Sequence, residues 1–353
     1  MVWINFFICF ISLASAAELP KFLTKHSIDS IRYITMDGRF AYVKKSPGVL
    51  GMVSSFRSVD FLSSTSTSDF TVRGSRTRKR LVIEVIPNVH GEYDLYKKNK
   101  IMTMEIGNTV PKEMGFGVSA KLHLVDEWLS FYNTIEKELT IKNIITEKTY
   151  TFALQAKMNP YFRPEVEMVS SDTILYTDLN EQGYTALMSY NLLTQKSSIL
   201  YRASQTATRL ELCSSSAAIG VGEFPYEGVE RGSKIMQISQ PSGGNLAGLT
   251  TIYTSQDQDL GNMICTNKGY YFVKTMGVER KLQIKNTEAV FVDLTGKVEA
   301  KTSLKHVNQI IEMDGRILVP DRGEYYVLEG RSNLSDDVLR VVPPKNEELP
   351  LEL

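Results

Sequence analysis

Along most of the chain, apolar and polar residues alternate in short runs, separated by polar segments rich in Asn, Asp, Gly and Ser. Period-two alternation in segments rich in Tyr, Val, Ile, Leu and Thr predicts β-strands with a covered face, and the polar segments predict the turns between them. One turn recurs almost letter for letter. Asn191 to Lys196 reads Asn-Leu-Leu-Thr-Gln-Lys, and 48 residues earlier Asn143 to Lys148 reads Asn-Ile-Ile-Thr-Glu-Lys. The same strand–turn–strand pattern surrounds Asp293 and, more loosely, Asp94. These turn starts are separated by 49, 48 and 102 residues, and the skipped copy in the double gap falls at Ile235–Tyr253.

A second hairpin repeats with the same period. Tyr33–Val43 (YITMDGRFAYV) returns as Ile310–Pro320 (IIEMDGRILVP), with Asp37-Gly38 and Asp314-Gly315 suited to positive-φ turn positions. The last apolar residues before the equivalent turns are Ile34, Val72, Leu124, Met168, Leu212, Ile264 and Ile311, which makes seven copies. Two hairpins per period of roughly 45 residues predict four antiparallel strands per unit. A lone four-stranded sheet cannot cover both its faces, whereas sheets stacked around an axis can. The expected fold is therefore all-β, a seven-bladed β-propeller of four-stranded antiparallel blades over residues 17–343, with a pair of β-sandwiches as the alternative. Ring closure would need a terminal strand across the seam, from Pro20–Lys25 or Asp336–Pro344. Ser58–Phe70, rich in Ser and Thr, is expected to be an exposed connector, and residues 344–353 a flexible tail.

The turn Asp-Leu-Thr-Gly-Lys at Asp293–Lys297, following Ala289–Val292, and the Asp-Gly hairpins resemble the repeat of TolB-type periplasmic propellers. That resemblance implies a propeller of the cell envelope. Where TolB-type repeats carry Ser-Pro-Asp-Gly, this chain has Thr35-Met36-Asp37-Gly38. Its two tryptophans, Trp3 and Trp128, do not form the Trp-Asp ending of WD40 blades.

Composition narrows the function. Forty Lys and Arg balance forty Asp and Glu, so net charge offers no drive toward nucleic acid or an anionic membrane, and any charged surface must be local. Residues 1–16 read as a signal peptide, an apolar run from Val2 to Leu13 followed by Ala14-Ser15-Ala16. No later stretch approaches the ~20 apolar residues of a membrane span. The expected product is a periplasmic or secreted protein. In an oxidising compartment Cys213 and Cys265 are a possible disulfide. They occupy equivalent places in the repeat, however, and side chains related by rotation point the same way, so two buried free thiols are expected instead.

No nucleophile elbow, zinc-binding His pair, dinucleotide loop or phosphate loop appears, so no cofactor, metal or catalytic residue is assigned. Asp257 and Asp259, in Gln256–Gly261, lack the remaining ligands of a calcium loop. The one local charge excess is Arg73, Arg76, Arg78, Lys79 and Arg80, in the first hairpin of the second unit. Arg39, Lys268 and Arg316 occupy that hairpin in other units, so all should project from one face, with Asp126, Glu127 and Asp172 beside them. Clustered cations can recruit an anionic partner, such as an acidic protein, a phosphorylated glycan or lipid headgroups, by raising its local concentration. The reading is a non-catalytic platform for an envelope or extracellular protein, with acidic partners favoured. The alternatives are a glycan- or peptide-cleaving hydrolase, marked by carboxylates or a Ser and a His converging at the channel mouth, and a glycan-binding protein.

Overall fold

The computed structural model describes residues 26, 30–34, 39–64, 68–74, 79–87, 99–123, 127–133, 136–158, 162–180, 182–206, 208–215, 217–225, 232–239, 248–256, 261–279, 284–301, 310–313, 316–321, 324–328 and 339–341. These form seven four-stranded sheets, each built from four strands consecutive in the chain. Blade 1 comprises β1 (Ile31–Ile34), β2 (Ala41–Ser46), β3 (Val49–Val53) and β4 (Ser58–Ser63). Blade 2 comprises β5 (Asp69–Gly74), β6 (Arg80–Ile86), β7 (Lys100–Glu105) and β8 (Lys112–Phe116). Blade 3 holds β9 (Val118–Leu122), β10 (Trp128–Asn133), β11 (Glu138–Asn143) and β12 (Thr149–Ala153). Blade 4 holds β13 (Val166–Met168), β14 (Thr173–Leu179), β15 (Tyr184–Asn191) and β16 (Lys196–Thr206). Blade 5 follows with β17 (Thr208–Ser214), β18 (Ala218–Pro225), β19 (Lys234–Ser239) and β20 (Leu249–Thr254). Blade 6 contains β21 (Gly261–Cys265), β22 (Gly269–Glu279), β23 (Ile284–Asp293) and β24 (Val298–Lys301). Blade 7 ends the series with β25 (Ile311–Met313), β26 (Arg316–Asp321), β27 (Glu324–Leu328) and β28 (Leu339–Val341). Six of the seven anchor residues lie in the first strands of their blades, and Leu124 lies outside the described residues. Seven separate sheets exclude a pair of sandwiches.

The strands of blades 2 to 5 are apolar on both faces because each of these blades is covered on both sides. In β6, Leu81, Ile83 and Val85 pack toward blade 1 with Tyr42, Leu50 and Met52, while Val82 joins Ala120, Leu129 and Phe131 of blade 3. In β10, Trp128 and Tyr132 face blade 4, and Leu129 and Phe131 face blade 2. Strand β18 repeats the logic, with Ile219 and Val221 toward blade 4 and Phe224 toward blade 6. Successive side chains point to opposite faces, so one strand serves two interfaces. Each fully buried Leu, Ile, Val or Phe contributes about 1.5–3 kcal/mol, and these interfaces are where the fold is held.

The recurring hexapeptide is the tip of the outer hairpin, between the third and fourth strands of a blade. Asn143 Oδ1 accepts the N–H groups of Ile145 and Thr146, and Asn191 Oδ1 those of Leu193 and Thr194. Asp293 Oδ1 does the same for Thr295 and Lys297. Asn and Asp recur because a short side-chain acceptor closes the turn on its own backbone. A left-handed residue completes each tip: Glu147 (φ 60°), Gln195 (φ 56°) and Gly296 (φ 89°).

Three expectations need correction. Asp94 lies outside the described residues, in the segment joining β6 to β7, and the outer turn of blade 2 is instead at 106–111, where Asn108 Oδ1 accepts the N–H groups of Thr109 and Val110. The Ser/Thr-rich stretch is half strand, since Ser58–Ser63 forms β4 and pairs with β3. An outermost strand needs little apolar content, which is why its composition reads as a loop. Finally, β28 pairs with β27 inside blade 7, and β1 to β4 complete blade 1 by themselves, so among the described residues no strand is exchanged across a seam. The signal-peptide expectation, Pro20–Lys25 and residues 344–353 fall outside the described residues.

Candidate functional site: the hairpin face and the charged inner strands

Antiparallel connection places the turns after the first and third strands of every blade on the same face of the molecule. Backbone bonds tie these turns together: Ile106 N–H donates to Lys79 O (2.9 Å), Ile144 N–H to Glu127 O (2.7 Å), Leu192 N–H to Asp172 O (2.6 Å) and Leu294 N–H to Lys268 O (3.3 Å). Arg39, Lys79 and Lys268 are exposed on the inner turns of blades 1, 2 and 6, with Glu127 and Asp172 on those of blades 3 and 4. Arg316 opens β26 in the matching turn of blade 7. Arg76, Arg78 and Asp126 lie outside the described residues.

Two members of the basic turn have work inside the fold. Arg73 Nη1 donates to Ala120 O of blade 3 (3.0 Å), while Glu84 Oε1 accepts the Ala120 N–H (2.9 Å). The two side chains, 3.6 Å apart, thus hold both ends of one neighbouring residue's backbone. Arg80 Nη2 reaches Glu105 Oε1 at 3.3 Å.

Polar bonds of this kind cross every boundary between successive blades from 1 to 7. Arg32 and Lys44 both meet Asp69 at 3.0 Å. Lys121 of blade 3 and Ser214 of blade 5 (2.8 Å) both bond Glu167 of blade 4. Met263 N–H donates to Glu211 Oε2 (2.7 Å), and Asn262 Nδ2 to Ile310 O (3.0 Å). Glu167 is the most enclosed of these carboxylates, its side chain 2% exposed. Burial opposes its charge, but Lys121 and His123 outweigh burial and hold its carboxyl down to about 2. Burial also lowers His123, leaving the imidazole neutral, with Nε2 2.9 Å from Ser130 Oγ and Nδ1 3.9 Å from Glu167 Oε2.

A Ser, a His and a carboxylate therefore do converge, in the order that a hydrolase would use. They do so inside the wall of the molecule: Ser130 is 0% exposed and His123 1%. A nucleophile that no substrate reaches does not act on one, and Glu167 is already occupied by Lys121 and Ser214. The cluster is a clasp between three blades. Sequence reading missed it because its members are scattered over blades 3, 4 and 5. The legible signal was a lone Glu in an apolar strand, as in Val166-Glu167-Met168 and again in Val82-Ile83-Glu84-Val85.

Cys213 and Cys265 are bridged, with Cα atoms 5.5 Å apart, which corrects the expectation of two free thiols. The hydroxyl turns that follow the two strands explain why. Ser215 Oγ accepts the N–H groups of Ala217 and Ala218, and Thr266 Oγ1 those of Lys268 and Gly269, so Ser215 and Thr266 are the equivalent residues. Cys265 then matches Ser214, not Cys213. A one-residue offset reverses the facing side in a strand, so Cys213 points forward from blade 5 and Cys265 back from blade 6, into one shared core. Gly220 leaves room for the bridge, since a Cβ there would lie 2.4 Å from the Tyr270 ring and 3.2 Å from the Cys265 sulfur.

Among the described residues, no group of three or more His, Cys, Asp or Glu could hold a metal ion. Asp257 and Asp259 lie outside those residues. No family model matches the chain, and no curated protein matches it by sequence. Solved structures do match. Against the tricorn protease the TM-score is 0.60 at 12% identity, covering 90% of this chain and 34% of that one. Against one of two prolyl endopeptidases it is 0.55 at 10% identity, covering 82% of this chain and 46% of that one. The WD40 repeats of RRP9 match at 0.50 with 8% identity, covering 82% and 86%. The chain is a seven-bladed β-propeller. It spans about a third of the tricorn protease and under half of the prolyl endopeptidase, and at these identities the likeness concerns the fold alone.

Proposed function

We propose that this propeller is an exported, non-catalytic binding platform whose hairpin face docks an acidic protein of the cell envelope or extracellular space. The observation that carries the reading is where cations reach the surface. Arg39, Lys79 and Lys268 stand exposed on equivalent turns of one face. Such a one-sided field attracts an acidic surface from a distance and weakens with salt. The disulfide and the apolar amino terminus support export, and the TolB-like turns support an envelope setting.

The hydrolase reading has one specific observation in its favour, the Ser130–His123–Glu167 line, and the burial of Ser130 and His123 weighs against it. The test is a cross-linking capture from the native envelope fraction, comparing wild type with Arg76, Arg78 and Lys79 changed to Glu. Arg73 and Arg80 are left intact because they serve the fold. Capture of one specific acidic protein by wild type, lost in the variant, supports the platform. Capture of nothing specific, or hydrolytic activity abolished by Ser130→Ala, overturns it.

A further inference from the structure

The hairpin face carries a second feature that the fold does not require. Large apolar side chains stand exposed at the outer-turn tips of four consecutive blades: Phe56 (96%), Val110 (74%), Ile145 (61%) and Leu193 (69%). The repeated hexapeptide shows that the turn does not need them. Its first apolar residue is a plug, since Ile144 is 6% and Leu192 1% exposed. The next residue is free to be polar, and in the outer turn of blade 6 the residue after Leu294 is Thr295. Ile145 and Leu193 are thus apolar where neither turn closure nor core packing asks for it. Each tip also has an exposed cation within five residues along the chain, Arg57, Lys112, Lys148 and Lys196, of which Lys112 is paired with Glu147 of the blade 3 tip.

We propose that this arc of tips on blades 1 to 4 seats the protein on an anionic lipid bilayer. The inference rests on reading the hairpin face as the docking face. It goes beyond that reading in naming a surface chemistry. Single apolar side chains, each on its own polar turn and flanked by Lys or Arg, suit shallow insertion among negatively charged headgroups. A protein interface instead concentrates its anchors in one contiguous, closely packed core. The arc leaves out blades 6 and 7, where Lys268 and Arg316 sit, so a bilayer at one side of the rim and a protein partner at the other are compatible.

The test is sedimentation of the full mature chain with phosphatidylcholine vesicles, with and without about one-third phosphatidylglycerol. Wild type is expected to bind the anionic vesicles, to bind the neutral ones at least roughly tenfold more weakly, and to be released by high salt. Changing Phe56, Val110, Ile145 and Leu193 together to Ser should lower anionic-vesicle binding roughly tenfold or more with an unaltered melting curve. A double variant, Ile145→Thr with Leu193→Thr, gives an intermediate loss and serves if the fourfold change disturbs folding. Ile199→Ser, an exposed apolar side chain in β16 away from the tips, should bind as wild type. Absence of wild-type binding to anionic vesicles overturns the proposal, as does full binding by the tip variants. Conversion of a dimer to a monomer by the same changes would also overturn it, in favour of a second copy on the arc. If acidic-protein capture survives while vesicle binding fails, the platform stands and the bilayer falls.

Discussion

Two regions of this propeller invert the usual placement of side chains. In the walls of blades 3 to 5, Lys121, His123, Glu167 and Ser214 are drawn together across three blades, with Glu167 and His123 almost wholly enclosed. On the outer turns, Phe56, Val110, Ile145 and Leu193 stand in water. The first region shows that buried charge need not mean chemistry. Every partner of Glu167 belongs to a different blade, so its ionisation is tied to the assembly of the sheets. The second is the converse: four apolar side chains that no core covers stand on turns, and a bilayer contact is the role proposed for them.

The contrast can be tested from the inside out. The largest effect on stability is expected from the disulfide, which links strands of two blades 52 residues apart. Replacing both Cys213 and Cys265 by Ser, or reducing the bridge, should cost about 4 kcal/mol on a chain-entropy account, read from denaturant midpoints with and without reductant. An unchanged midpoint would mean that the shared apolar core, not the bridge, joins blades 5 and 6. Glu167→Ala should come next, at about 3 kcal/mol. It strands Lys121 beside a vacated buried site, and the partial exposure of Lys121 keeps the loss at the low end of buried-pair values. Loss of less than about 1 kcal/mol would place that pair with weak surface bridges.

Acid should expose the same cluster. Below the unfolded value near 6.5, an unfolded His takes up a proton that buried His123 refuses, so stability begins to fall there. Glu167, at about 2 when folded against 4.5 unfolded, contributes fully above pH 4.5 and loses that contribution as pH falls toward 2. Glu165 and Asp178, which burial pushes up, work in the opposite direction. His123→Gln should flatten the decline between about pH 6.5 and 5, and an unchanged profile would remove His123 from the account. The smallest effect sharpens the comparison most. Leu193→Ala should alter stability by no more than about 0.5 kcal/mol, whereas its neighbour Leu192→Ala should cost about 2–3 kcal/mol, the low end for a buried Leu because it sits on a turn. Equal effects in thermal or chemical melts would erase the distinction between plug and tip.

The repeat was legible because turns obey local rules. Asn143, Asn191 and Asp293 close their own loops, and their spacing betrays the blade period. Asp94 misled because the outer turn of blade 2 closes on Asn108 in Ile-Gly-Asn-Thr-Val-Pro, which shares little with the hexapeptide. The disulfide was misjudged by one residue. Aligning the chains on Leu212 and Ile264 put the cysteines in the same orientation, while aligning the hydroxyl turns at Ser215 and Thr266 reverses one of them. The clasp around Glu167 could not be read locally, since Lys121 and Ser214 lie 46 and 47 residues from it. Linear order carries turns well and ring neighbours poorly.

On the proposed reading, the hairpin face is the surface this protein uses. Lysine acetylation of the protein in the native cell fraction that contains it, compared with the purified chain, tests it directly. Lys79, Lys148, Lys196 and Lys268 lie on that face, and Lys137 is exposed on the β10–β11 turn of the opposite one. The first four are expected to be protected in the native fraction, with Lys137 labelled equally in both. Uniform labelling, or protection centred on Lys137, would contradict it.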